Sequence, residues 1–136
     1  MRRSDVDIAP GSAEESALVT LAAWARGYAY APYAHTACGA AVVADDTRIF
    51  HGSSIENASL GLSLCAERAA ISSAVCAGVR RILAVVVVSA ADPPALPCGA
   101  CLQWIAEFGG PSTMIISAAV SGKVRRLHLR DLYKEP

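Results

Sequence analysis

The chain is organised by apolar runs separated by short polar interruptions, and the spacing within each run predicts an element. The segment 13–28 opens within "SAEES", whose serine and glutamates suit a helix start, and places Leu18, Leu21, Ala22 and Ala25 at helical intervals. "CGAAVVA" (38–44) reads as a strand, "DDT" (45–47) as a turn and "TRIFHGSS" (47–54) as the return strand of a hairpin. Residues 64–77 form a second helix, alanine-rich, with Ile71, Ala74 and Val75 turned to a core and Gly78 as its stop. "RILAVVVVS" (81–89) is apolar and β-branched almost throughout, the pattern of a central strand covered on both faces. A third helix is expected from near Cys98 to the glycines at 109–110. "TMIIS" (113–117) and "KVRRLHL" (123–129) supply two short strands, and "LRDLYK" (129–134) a last helical turn. The order α-β-β-α-β-α-β-β predicts an α/β fold, a three-layer α-β-α sandwich around a mixed five-stranded sheet.

Composition narrows the function. A length of 136 residues suits one domain over 1–136, with 1–12 as a candidate disordered lead. Apolar residues at 54% and charged residues at 18% exclude a disordered chain. Twelve basic and twelve acidic residues cancel, so the basic excess of a nucleic-acid binder is missing and no nucleic-acid partner is expected. The basic stretch "KVRRLHLR" (123–130) reads as a solvated edge strand. "MRRSDVDIAPGS" carries no apolar stretch after its arginines, and "ILAVVVV" (82–88) is too short to span a bilayer. A soluble cytoplasmic protein with no membrane partner is the expectation. Thiols stay reduced in that compartment, so five cysteines point to metal, catalysis or burial.

The strongest local pattern is "PCGAC" (97–101). Cys98 and Cys101, three apart in the first turn of a helix, face the same way and could share one ion. C-x-x-C also serves redox chemistry, though that motif usually follows the first strand of a βαβ unit. His35, His51 and His128 show no ligand-like spacing, whereas Cys65 supplies a third thiolate. Three cysteines leave a fourth position open, the mark of a catalytic zinc rather than a structural one. Glu67 lies two residues after Cys65, about 200° round a helix, so the two share a target only off the helix's N-terminal end. A carboxylate there can relay protons, and Arg68 can offset the excess negative charge of three thiolates. Cys38 and Cys76 fall in apolar segments and read as small buried side chains, while Trp24, Trp104 and Phe108 read as core or subunit contacts. Asn57 is assigned a cap or turn role, and His35 a place in a loop.

These residues resemble the cytidine deaminase family in its small, three-cysteine zinc form. Cys65-x-Glu67 and Pro97-Cys98-x-x-Cys101 fit the zinc deaminase pattern. "YAPYAHTACGAAVV" (30–43), "IENASLGLSLCAERAAI" (55–71) and "PCGACLQWIAEFG" (97–109) extend the likeness over most of residues 28–110. The resemblance implies one Zn²⁺ per chain on Cys65, Cys98 and Cys101, with Glu67 as the proton shuttle and Arg68 tempering the thiolates. It also implies that Glu56 grips a sugar hydroxyl, that the Ala66 backbone helps hold the pyrimidine, and that Ser54 and Thr36 occupy substrate-contact positions. The implied reaction is hydrolytic deamination of cytidine or deoxycytidine to uridine or deoxyuridine plus ammonia, in pyrimidine salvage, by a homotetramer. Three positions and the chain's ending depart from the family pattern. Ser54 replaces an asparagine, Thr36 a phenylalanine beside the ring and Leu102 an arginine, and the chain ends three residues after Tyr133. Losing a stacking ring, worth about 1–3 kcal/mol, motivates an alternative substrate, a modified cytosine nucleoside or nucleoside antibiotic. Further alternatives are a non-catalytic structural zinc protein, a polynucleotide editor and a thiol redox protein.

Overall fold

The computed structural model describes residues 6–133, and the elements follow the apolar pattern closely. Helix α1 (Ala13–Arg26) starts where the Ser12 side chain accepts the Glu15 N–H. A hairpin follows, β1 (Cys38–Ala44) and β2 (Ile49–Ser53), then a 3₁₀ turn over Leu60–Leu62 and helix α2 (Ala66–Cys76). The remainder is β3 (Ile82–Ser89), α3 (Gly99–Phe108), β4 (Met114–Ala119), β5 (Val124–His128) and the single turn α4 (Leu129–Leu132).

The sheet order is β2-β1-β3-β4-β5. Only β3 and β4 run parallel; the other three pairings are antiparallel, so the sheet is mixed as expected. Every residue of β3 is buried, as its unbroken β-branched run requires of a strand covered on both faces. Alternate side chains feed two cores. Ala41, Val43, Val86, Val88 and Ile116 pack with Leu18 and Ala22 of α1, while Ala40, Val42, Val85 and Ile115 pack with Ile71 and Ala74 of α2 and Ile105 of α3. That division gives the three layers.

Two glycines set how closely the helices approach. A Cβ on Gly39 would stand 2.0 Å from the Ala22 carbonyl oxygen, and one on Gly52 would stand 2.4 Å from the Ala70 nitrogen. Bare backbone at Gly52 therefore lets α2 lie against β2, which fixes where the start of α2 projects.

Several expectations are corrected. Disorder over 1–12 fails for the described part of that segment: Val6 and Ile8 are buried in the α1-side core because their apolar side chains complete it, and residues 1–5 lie outside the described residues. Cys76 is exposed at the end of α2, and Cys38 is only half-buried. Trp24, at 51% exposure, sits on the surface beside Tyr28 and His51, which overturns the core half of its reading and leaves the subunit contact. Among the described residues no helix is long and apolar enough to cross a membrane.

Candidate active site

Cys65 is the residue that precedes α2, and Cys98 the residue that precedes α3. Both take extended backbone at the helix entrance, so their side chains lie off the ends where unpaired N–H groups and the positive pole of the helix gather. Cys101 follows one turn inside α3 and is fully buried. The three sulfurs lie within 4.8 Å of one another, with Cys65 Sγ 3.8 Å from Cys98 Sγ. Ligands 2.3 Å from a tetrahedral zinc are about 3.8 Å apart, so this pair already has the spacing that the metal needs. Three thiols and no histidine form a soft donor set suited to Zn²⁺.

Electrostatics of the cluster match that role. A hydrogen bond from the Cys101 thiol, helped by Arg68 Nη2 at 3.4 Å, brings the Cys65 thiol down to about 5 against the cost of burial. The same shared proton, with burial, pushes Cys101 up. The thiolate on Cys65 in turn raises Arg68, whose guanidinium stays charged against the sulfurs. Arg68 Nη2 donates to Cys65 Sγ, while its Nε is buried with no hydrogen-bond partner among the described residues.

Glu67 is 5% exposed and makes no ion pair among the described residues. Burial raises its carboxyl to about 7, with the Cys65 thiolate adding to the rise. A carboxyl that titrates near neutrality beside a metal site is suited to proton transfer in both directions.

Cys65, Cys98 and Glu67 open onto one cleft of about 220 Å³. It places every residue expected at the substrate together: Thr36, Ser54, Glu56, Ala66 and Glu67, with Cys65 and Cys98 at the metal end. Arg68 and Cys101 are not on the cleft wall. The structure adds Cys38, Ser63, Val87, Ser89, Ala95 and Leu96. The Cys38 thiol donates to the Thr36 carbonyl oxygen at 3.7 Å, and desolvation holds it up at about 11, a protonated wall rather than a nucleophile. Ser89 ends β3, and clefts of open α/β sheets form beyond such strand ends, a signal available from the strand prediction alone. His35 is not on the wall. Asn57 makes the expected turn, its side-chain oxygen accepting the Ser59 N–H at 2.9 Å.

Fold and site together define the class: a zinc-dependent hydrolase whose metal would have one corner free for water. Comparison with known proteins narrows this. Residues 12–118 match the family model for the cytidine and deoxycytidylate deaminase zinc-binding region. The chain is 41% identical over 108 residues to the cytidine deaminase of Sporosarcina psychrophila, covering 79% of each chain. It is 37% identical over 115 residues to that of Halalkalibacterium halodurans, covering 85% of this chain and 87% of the relative. The fold superposes on the crystal structure of cytidine deaminase from Burkholderia pseudomallei with a TM-score of 0.85 at 43% identity, covering 88% of this chain and 96% of that one. The chain belongs to the cytidine and deoxycytidylate deaminase family.

Proposed function

We propose that the protein hydrolyses the exocyclic amine of cytidine and deoxycytidine, releasing ammonia and leaving uridine and deoxyuridine. The observation that carries this is the buried, ion-pair-free Glu67 beside three sulfurs gathered within 4.8 Å, with Glu67, Cys65 and Cys98 on the wall of one cleft. Zinc held by Cys65, Cys98 and Cys101 supplies, when bound, a water acidified to near neutrality. Glu67 takes a proton from the attacking water and delivers it to ring N3. It then carries the remaining water proton to the amine, which departs from C4 as ammonia. One water enters and one ammonia leaves, so charge and atoms balance. Arg68 holds negative charge on the sulfurs, and the backbone at Ala66, with Ser54, Glu56 and Thr36, forms the wall against the substrate.

A modified cytosine base is a second reading. Among the described residues no aromatic ring lines the cleft; Thr36, Cys38 and Ala95 leave a wall of small side chains where extra substituents fit. Ammonia release from cytidine, deoxycytidine and 5-substituted analogues by the purified, zinc-analysed protein tests both. Turnover of the unmodified nucleosides supports the first reading, and turnover of analogues alone supports the second.

The chain acts as a single domain over 1–136, in pyrimidine salvage. Five unpaired cysteines fit a reducing cytoplasm. Leu60 and Leu62, at 76% and 71% exposure, flank the site segment and favour a homotetramer that covers them. Light scattering of the purified protein reads its mass directly.

A further inference from the structure

The segment between β3 and α3 carries two residues of the cleft wall, Ala95 and Leu96, and ends at Cys98. Pro93, Pro94 and Pro97 within it have no N–H to donate. Among the described residues no backbone–backbone hydrogen bond reaches positions 90–97. Side chains hold the segment instead, at two places. At its start the Ser89 hydroxyl oxygen accepts the Ala91 N–H at 3.3 Å, and Asp92 meets the Ser121 hydroxyl at 3.2 Å and Lys123 Nζ at 3.0 Å. The Lys123 side chain is 68% exposed, so that ion pair contributes little. At the cleft itself the tie is Ser117, whose hydroxyl donates to the Ala95 carbonyl oxygen.

Ser117 is a polar residue in a strand buried at every position, and it is 1% exposed. In the parallel register it lies beside Val87, another residue of the cleft wall, so the two side chains leave the sheet on the same face. Two positions earlier on the same strands, Val85 and Ile115 pack in the core under α2 and α3. A hydroxyl buried there costs free energy unless it is bonded, and the Ala95 carbonyl is the partner it has.

We propose that Ser117 is a positioning residue: from within the sheet it holds the wall at 95–96 in place and so sets how tightly the nucleoside binds, leaving the chemical step to Glu67 and the metal end. This rests on the nucleoside deaminase reading above. A neutral hydrogen bond favours the tied position of the segment by about 2- to 10-fold. Without it the wall leaves that position for part of the time, and apparent affinity falls with the fraction that stays competent. The reacting groups do not share this tie. Cys65 and Glu67 belong to α2 and its entrance, which rest against β2 through Gly52. Cys98 is fixed by α3, where its carbonyl oxygen accepts the Leu102 N–H at 2.9 Å.

The test compares Ser117→Thr with Ser117→Val in the zinc-loaded protein. The two side chains share a shape, so the effect of added bulk is common to both and the donor alone differs. Ser117→Val is expected to show a KM for cytidine about 2- to 10-fold above that of Ser117→Thr, with kcat within about 2-fold. The inhibition constant of uridine should rise by the same factor, with zinc unchanged. If both variants fail to fold, Ser117→Ala against wild type carries the same comparison. Equal KM values with and without the hydroxyl overturn the assignment, because Ser117 then serves the fold alone. A fall in kcat with KM kept overturns it too, since the hydroxyl then acts on the chemical step. A wild type inert on cytidine overturns this inference and the deaminase reading together, whereas equal KM values in active variants overturn the inference alone.

Discussion

Glu15 and Glu67 occupy matching places in the two halves of the molecule. Each lies in the first turn of a helix, each is buried at 4% and 5% exposure, and their helices cover opposite faces of one sheet. Their chemistry is opposite. Glu15 accepts both Nε and Nη2 of Arg126, at 2.6 and 2.7 Å, and the Gly11 N–H at 3.0 Å. The Arg126 bonds are the largest influence and hold its carboxyl below the usual range despite burial. Glu67 has no such partner, and burial lifts it to about 7. A buried glutamate with a cationic partner braces the fold; one without an ion pair, set beside the three sulfurs, is suited to moving a proton.

The largest effect expected is at the metal. Cys101→Ser replaces a buried ligand, and zinc content measured by elemental analysis should fall from one per chain to near zero, with turnover lost entirely. Retention of full zinc would show that the sulfur cluster is not the binding site.

Arg126→Met leaves Glu15 buried without its partner and should cost about 2 kcal/mol in urea unfolding at pH 7, since the arginine is one-third exposed. The sign with pH follows from the lowered Glu15 pKa. Its contribution to wild-type stability is full above the ordinary value near 4.5 and is lost as pH falls through the lower folded value. The gap between wild type and Arg126→Met should therefore shrink in acid. A constant gap would mean that Arg126 acts through packing alone.

Glu67 should respond the other way. Its raised pKa means that the fold disfavours the charged form, a cost that begins above about 4.5 and is complete above about 7. In chelator-treated protein, Glu67→Gln should be more stable than wild type at pH 8 by roughly 2 kcal/mol, with no gain near pH 4. Destabilisation at pH 8 would break the contrast with Glu15, because it would mean that Glu67 too serves the fold.

Much of this was legible along the chain. The unbroken "ILAVVVV" run announced a doubly covered strand, and Ser12 and the residues at 65 and 98 marked helix entrances within two positions. The cysteine spacing was readable because ligands on helix starts are local geometry. The Glu15–Arg126 pair was not, since 111 residues separate its members and only the packing of α1 against the sheet joins them. Val6 and Ile8 sat in a short polar-looking lead that carries no periodicity, and their burial depends on a core built elsewhere. Cys38 showed an apolar neighbourhood but not that its strand end opens onto the cleft. The tie from Ser117 to Ala95 was hidden as well, since 22 residues separate the pair and a serine in an apolar strand does not name its partner.

The most direct measurement of the central claim is cytidine turnover by Glu67→Gln protein shown by elemental analysis to hold one zinc per chain. The amide keeps the shape of the side chain and removes its ability to carry a proton, so the rate should fall by at least about 10²-fold with zinc unchanged. A fully metallated variant that deaminates cytidine at the wild-type rate would contradict the account.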